Sequence, residues 1–240
     1  MKIYRIVLIG LLATFSLSSA AALTVEQTKQ LADIEQILQR NPQVIENLHS
    51  TLRMYEQQAN RFEQVLKDNQ AYLYNNPDHP SFGAQDPELT LVFFTDYSCP
   101  WCKKLDPVLH ELVKRYPTIK VVSVLVPLKE LDSPVNSASY ALNLWQTDQQ
   151  KFTQADELLV KKPGAHNPQS LLQVAQKTDT SQALNVQEKT QQQLAKNYQL
   201  FSELGLNGTP ALLIGQQIIP GYLPLDKLAP LIEAALGSQE

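Results

Sequence analysis

The sequence has few cysteines, no surplus of basic residues and no long apolar segment after its first 22 residues. Two cysteines in 240 residues exclude a scaffold stapled by several disulfides, and they exclude a zinc site built mainly from thiolates. No later apolar run approaches the roughly 20 residues that span a bilayer. Lys and Arg number 20 against 24 Asp and Glu, so the net charge is −4. Such a chain lacks the basic surface that nucleic acids and anionic lipids require, and we expect no nucleic-acid partner.

The amino terminus has the pattern of a secretory signal peptide. A short basic region with Lys2 and Arg5 precedes an apolar run at 6–13, and small residues follow. Small residues at the −3 and −1 positions favour cleavage after Ala22, with Ala20 as the second choice. An uncleaved membrane anchor is the alternative, which so short an apolar core disfavours. We therefore expect residues 1–22 to be removed and the mature protein to be soluble and exported.

The residues that follow predict helices with a regular apolar face. Thr24 and Gln27 form a capping box for the first helix, and Asn41, as a cap, with Pro42 restarts a second helix. Along the second helix, apolar residues recur at alternating steps of three and four, which is a heptad pattern held for three repeats. This heptad seam consists of Ile45, Leu48, Leu52, Tyr55, Ala59, Phe62 and Leu66.

The heptad seam predicts an all-α oligomerisation segment over residues 23–75. The predicted helix is longer than a domain of this size is wide, so part of its seam would face water unless another chain covered it. We expect a homo-oligomer, with a dimer favoured over a trimer. The alternative is a helix that folds back and packs on its own chain.

The rest of the chain predicts an α/β domain at 88–240, after a proline-rich linker at 76–87. Apolar runs at 89–94 and 118–126 flank a helix and form a strand–helix–parallel strand unit. Residues 133–204 contain only helical stripes and predict a helical insertion. A β-hairpin and a final helix complete the domain.

The two cysteines lie three positions apart, where a strand ends and a helix begins. Both sulfurs then share one face, within bonding distance. A helix N-terminus stabilises a thiolate at Cys99 more than at the deeper Cys102, so we predict Cys99 as the exposed nucleophile and Cys102 as the resolving thiol. One alternative is a structural disulfide, although so small a ring adds little stability. Another is capture of Cu(I) or Zn by the two thiolates, which no histidine spacing supports.

A proline near the carboxyl terminus adds to this pattern. Thr209-Pro210 directly precedes a strand-like run, where an X-Pro bond can be cis and place the Thr209 backbone beside the sulfurs as an edge for an extended substrate. An ordinary loop proline is the alternative. With Cys99 and Cys102 as catalytic residues, the predicted substrate-binding residues are Pro100, Trp101, Thr209 and Pro210, and no metal site is predicted.

These motifs together resemble a known family. The segment 93–105, with Thr209-Pro210 and Pro220-Gly221-Tyr222, is similar to the periplasmic thiol:disulfide interchange proteins of the DsbA and DsbC/DsbG families, and the N-terminal helices resemble those of ScsC-type proteins. The resemblance implies a thioredoxin fold, a periplasmic location, exported protein substrates with cysteines, and no dissociable cofactor. It also implies a membrane redox partner, either a DsbB-like oxidase or a DsbD-like reductase. Whether the protein forms or isomerises disulfides stays open, and a copper-handling or chaperone-type binding protein is the alternative.

Two positions depart from the DsbA pattern. DsbA has a histidine where this chain has Trp101, and an indole supplies no charge to the thiolate, so the resemblance implies a weaker oxidant. The buried acid of DsbA aligns with Phe93. The nearest acid is Asp96, which either shuttles a proton for Cys102 or caps the turn, and we favour the cap.

Overall fold

The computed structural model describes residues 23–133 and 135–237; the predicted signal peptide at 1–22 lies outside them. The chain divides into two units, Met1–Glu56 and Gln57–Glu240. Within the described ranges, no helix combines the length and the apolar character that a membrane crossing requires.

The first unit contains helix α1 (Val25–Arg40) and the start of helix α2 (Ile45–Asp68). The capping box is confirmed, because the Thr24 hydroxyl accepts from the Gln27 backbone N–H and the Gln27 side chain accepts from the Thr24 N–H. Asn41 and Pro42 take the N-cap and first positions predicted for them, but the element that starts there is a short 3-10 turn (Pro42–Val44) that leads into α2. The Asn41 side chain makes no cap, because its amide donates backwards to the Ile37 carbonyl of α1.

The second unit is built on a five-stranded sheet. Its strands are β1 (Ser81–Gly83), β2 (Leu89–Thr95), β3 (Ile119–Leu125), β4 (Ala211–Ile214) and β5 (Gln217–Pro220), in the order β1-β3-β2-β4-β5. Strands β2 and β3 are parallel, as predicted, and the predicted hairpin is β4–β5. The β2 strand is buried at six of its seven positions because helices cover both faces of the sheet.

Seven helices complete the second unit within the described residues. They are α3 (Gln70–Asn75), α4 (Pro100–Arg115), α5 (Ser137–Thr147), α6 (Gln149–Lys161), α7 (Pro168–Lys177), α8 (Glu188–Glu203) and α9 (Leu225–Gly237). Helices α5 to α8 form the predicted insertion and have their own buried cluster. Helices α4 and α9 pack on one face of the sheet, while the end of α2, α3 and part of α8 pack on the other.

The stretch predicted as a linker, residues 76–87, contributes strand β1 to the sheet. The strand pairs with β3, and the Phe82 ring stacks on His110 with centroids 4.0 Å apart. Gly83 has φ +104°, and a Cβ there would lie 2.4 Å from the Ile119 carbonyl oxygen, so the position requires glycine. A strand of three residues that follows a proline and ends in a glycine is too short to show a strand period, which is why the composition indicated a linker.

Candidate active site

The cysteine pair lies where β2 ends and α4 begins. Cys99 is the N-cap residue of α4, and Pro100 takes the first helical position, where its missing N–H removes no hydrogen bond. Both cysteines are free thiols, and their side chains are 5 % and 2 % exposed. The pair therefore lies at a helix N-terminus, as predicted, but Cys99 is buried, whereas the sequence predicts an exposed nucleophile.

The two thiols have opposite electrostatic environments. The Cys102 thiol donates to the Cys99 sulfur, and this bond, with the backbone N–H groups of Cys102 and Trp101, holds the pKa of Cys99 well below its usual range. Burial raises the pKa of Cys102, and its bond to Cys99 raises it further. Cys99 is therefore the thiol that ionises, and Cys102 keeps its proton.

The loop before β4 borders the Cys99 sulfur. The Thr209–Pro210 peptide bond is cis, as predicted, and the Cys99 thiol donates to the Thr209 carbonyl oxygen at 3.1 Å. Pro210 is buried, and its carbonyl oxygen accepts a hydrogen bond from the Gly221 N–H. The structure thus brings together Cys99, Cys102, Thr209 and Pro210.

An exposed aromatic surface adjoins the cysteine pair. The Trp101 side chain is 52 % exposed, and its ring lies 6.0 Å from that of Tyr222. The Lys104 ammonium lies 4.8 Å from the Trp101 ring centroid, a cation–π distance. Together with the exposed Pro100, these side chains offer an apolar contact area beside the reactive sulfur.

Asp96 holds the turn that leads to Cys99. One carboxylate oxygen accepts from the Ser98 N–H at 2.7 Å and the other from the Lys129 N–H at 2.9 Å. Its own backbone N–H donates to the Cys102 sulfur at 3.4 Å. Burial raises the Asp96 pKa to about 6. These bonds are those of a turn cap, which is the role the sequence favours.

Glu130 is a second buried carboxylate at this turn, and the sequence gives no signal of it. It accepts from the Ser98 hydroxyl at 2.6 Å and from both the N–H and the hydroxyl of Ser137. The Ser98 oxygen in turn accepts from the His166 N–H at 2.8 Å. Because Glu130 lies in the loop after β3, only the fold reveals that it meets the residue before Cys99.

A small cavity of about 20 Å³ adjoins Cys102, and acidic side chains line it. Asp106 comes from α4 and Asp156 from α6; Asp156 accepts a hydrogen bond from the Tyr97 hydroxyl. Burial raises the pKa of Asp106 to about 6 and that of Asp156 to about 7. Asp106 and His110 are four positions apart, so the sequence predicts them on one face of a helix. Asp156 lies in the insertion, and only the fold brings it to Cys102.

Comparisons with known proteins agree with this architecture. The thioredoxin family model matches residues 75–234. A linker-deletion mutant of ScsC from Proteus mirabilis is 31% identical, with a TM-score of 0.70 over 92% of this chain and 100% of that one. A periplasmic thioredoxin-like protein from Salmonella enterica serovar Typhimurium is 37% identical, with a TM-score of 0.64 over 70% of this chain and 95% of that one.

Among curated proteins, the chain is 26% identical over 97 residues to the Na(+)/H(+) antiporter NhaA 3 of Salinispora tropica. The chain spans 15% of the length of that relative.

Proposed function

Since the chain belongs to the thioredoxin family, in its DsbA-like branch, we propose that it is a periplasmic thiol-disulfide oxidoreductase that forms or isomerises disulfides in exported proteins. The observation that carries the proposal is the asymmetry of the two thiols. At the start of α4 the pKa of Cys99 is held well below its usual range, and three residues deeper burial raises the pKa of Cys102. Thiol-disulfide exchange needs one thiolate that attacks the substrate disulfide and a second thiol that later resolves the mixed disulfide.

The exchange proceeds through a mixed disulfide. The Cys99 thiolate attacks one sulfur of a substrate disulfide, forms a Cys99–substrate bond and releases the other substrate sulfur as a thiolate. Cys102 then attacks the Cys99 sulfur, forms the Cys99–Cys102 disulfide and releases the second substrate thiolate. The substrate is reduced by two electrons and the protein oxidised by two; the reverse sequence forms a substrate disulfide. Rearrangement within the mixed disulfide is isomerisation.

The substrate would bind as an extended chain beside Cys99. Thr209 and Pro210 present a backbone edge next to the sulfur, and Pro100 and Trp101 add apolar contact from α4. Tyr222 extends the aromatic surface. The partners that we propose are exported proteins with cysteines and, to reset the pair, a membrane redox protein of the DsbB-like or DsbD-like type.

Trapping of mixed disulfides tests the proposal. A Cys102→Ala variant cannot resolve the mixed disulfide, so it should accumulate covalent complexes with exported proteins on non-reducing gels. The matched Cys99→Ala variant should form none, and it should reduce insulin disulfides at a rate near background. A Cys99→Ala variant that retains full biological function would overturn the proposal and favour the copper-handling or chaperone alternative.

The first unit would assemble copies of this chain. Apolar side chains of α1 and of the first half of the seam are exposed, and Ile34, Ile37, Val44 and Leu48 line an apolar groove. A heptad seam is complementary to a second copy of itself, so we propose a homo-oligomer, with a dimer favoured over a trimer.

Light scattering tests the assembly. The full-length protein should have the mass of an oligomer, and a Leu52→Glu variant should shift toward the monomer, whereas Gln57→Glu, an exposed polar position on the same helix, should not. A full-length protein that is monomeric at micromolar concentration would refute the oligomer, and with it the reason to prefer isomerisation.

A further inference from the structure

Cys102 must lose a proton before it can resolve a mixed disulfide, and its own surroundings oppose that loss. The thiol is 2 % exposed, and burial raises its pKa. A thiol is a poor nucleophile until it is deprotonated. The resolving step, which rests on the function proposed above, therefore needs a proton acceptor close to the Cys102 sulfur.

The cavity that adjoins Cys102 brings three carboxyl groups near this sulfur. Asp96 already serves the turn, because each of its oxygens accepts a backbone N–H, and a proton there would cost one of those bonds. Asp106 and Asp156 have no such task with the backbone, and they face the same cavity from two different helices. A space of about 20 Å³ is large enough for one water molecule, which can connect the Cys102 thiol to these carboxyl groups.

We propose that Asp106 and Asp156 act as one proton-accepting pair for Cys102, through the cavity that they share with it. The buried acid of DsbA aligns with Phe93 of β2, which also lines this cavity. The proposed pair therefore occupies a different position from the DsbA acid. The pair draws one member from the active-site helix and the other from the helical insertion. The insertion thereby supplies a group for the chemistry of the site.

The proposed step is balanced in protons and electrons. The Cys102 S–H bond breaks, and its proton passes to one carboxylate of the pair. The Cys102 sulfur forms a bond with the Cys99 sulfur as the bond from Cys99 to the substrate sulfur breaks, and the substrate leaves as a thiolate. In the reverse direction the carboxylic acid returns the proton to Cys102. His110 offers a route to solvent, since its Nε2 lies 3.8 Å from Asp106 Oδ1 and its side chain is partly exposed.

The surroundings of the pair suit proton exchange near neutral pH. Burial raises the pKa values of Asp106 and Asp156 to about 6 and about 7, and the negative charge of Asp106 also raises that of Asp156. The Lys103 ammonium is directed elsewhere, to the carbonyl oxygens of Lys162 and Gly164. The titratable or charged groups facing the pair are Tyr97 before α4, Lys103 and His110 on α4, Glu157 on α6, and Asp96 at the end of β2.

Stopped-flow kinetics separates the two thiols. The reduced full-length protein is mixed with a limiting amount of an aromatic disulfide whose released thiolate is coloured. The first phase reports attack by Cys99, and the second reports resolution by Cys102. For the wild type, we expect the second phase to accelerate with pH and to show an inflection between about pH 6 and 7, as carboxylic acids with these pKa values ionise.

The test compares the Asp106→Asn/Asp156→Asn double variant with Glu111→Gln, which removes an exposed carboxylate from the same helix. The double variant should keep the first phase, lose the inflection of the second and slow it at pH 7 by on the order of a hundredfold. Glu111→Gln should match the wild type. If the double variant does not fold, the two single variants provide the same comparison.

Four results would count against the pair. An unchanged second phase in a folded double variant overturns the proposal, and so does loss of the inflection in Asp96→Asn alone. A wild-type protein without a first phase overturns the proposed function itself, and this inference falls with it. A variant that slows both phases equally at every pH would show a structural role in place of proton transfer.

Discussion

The heptad seam has two different environments within one helix. In the first unit its members Ile45, Leu52 and Tyr55 are 45–74 % exposed. In the second unit Leu66 is 8 % exposed and packs in one cluster with Leu73 and Phe94. The spacing of apolar residues is the same in both halves, yet the seam is surface as far as Ala59 and joins the core only at Phe62 and Leu66. A periodic apolar face reveals that a helix needs a partner, and it does not reveal which partner.

The largest expected effect is a difference in stability between two truncated chains, one that keeps the buried part of the seam and one that lacks it. A chain of residues 57–240 keeps Leu66 and Leu73 and should fold as a redox-active monomer. Relative to the full chain, it should lose more of its isomerase activity than of its oxidase activity. A chain of residues 76–240 loses both leucines, so its free energy of unfolding should fall by on the order of 5 kcal/mol or more. Thermal unfolding followed by circular dichroism measures the difference. Equal stability of the two chains would show that α2 and α3 are not part of the core.

Substitution of single leucines tests the same difference between buried and exposed positions. Leu73 is fully buried, so Leu73→Ala should lower the free energy of unfolding of the catalytic unit by about 2–5 kcal/mol. The matched Leu52→Ala removes the same atoms from an exposed position and should leave that free energy within about 0.5 kcal/mol. Urea unfolding monitored by the signal of the catalytic unit measures both. The idea fails if Leu52→Ala costs as much as Leu73→Ala.

A third test concerns the buried acid Asp156. Because burial raises its pKa to about 7, the folded chain holds this proton more tightly than the unfolded chain does, and the resulting stability is full below about pH 4 and is lost as the pH rises through about 7. Asp156→Asn should therefore raise the free energy of unfolding at pH 8 by on the order of 1–2 kcal/mol, with the gain shrinking toward acid pH.

The control for this test is Asp33→Asn on the exposed α1. Urea unfolding curves at pH 8 and pH 5 provide the measurement. Equal effects of the two substitutions at pH 8 would contradict a buried, proton-holding Asp156.

The smallest expected effect is on the Cys99 thiolate. A Cys102→Ser variant keeps a hydroxyl donor to the Cys99 sulfur, whereas Cys102→Ala removes it, so the Cys99 pKa should be higher in the alanine variant by on the order of one unit. Ultraviolet absorbance of the thiolate against pH measures it. Both values should be the same in the chain of residues 57–240 as in the full chain. A midpoint at or above the free-thiol value of about 8.5 in the serine variant would be inconsistent with this environment.

Much of this architecture is predictable from the sequence because it depends on local chemistry. The parallel pair β2 and β3, the hairpin and the capping box at Thr24 follow from apolar runs and from short-range hydrogen bonds. The cysteine pair at the start of α4 follows in the same way, since a strand end and a helix start are both visible in the sequence.

The rest depends on contacts between distant parts of the chain. Strand β1 is too short to show a period, and it forms because β3 offers a free edge. Asp156 and Glu130 lie in ordinary polar surroundings in the sequence, and only the fold brings Asp156 to Cys102 and Glu130 to Ser98. The division of the seam could not be predicted either, because periodicity carries no information about which surface covers it.

The contacts of Glu130 limit how such a domain can change by recombination. This carboxylate accepts from Ser98 at the catalytic turn and from Ser137 at the start of α5, while His166 binds Ser98 from beyond α6. A chimera that exchanged only residues 137–203 with a relative that lacks Ser137 would keep Glu130 and Ser98, and the buried Glu130 carboxyl would lose the hydroxyl donor from α5. The insertion and the catalytic turn are therefore coupled through Glu130, and an exchange that preserves these hydrogen bonds must carry Ser98, Glu130 and Ser137 together.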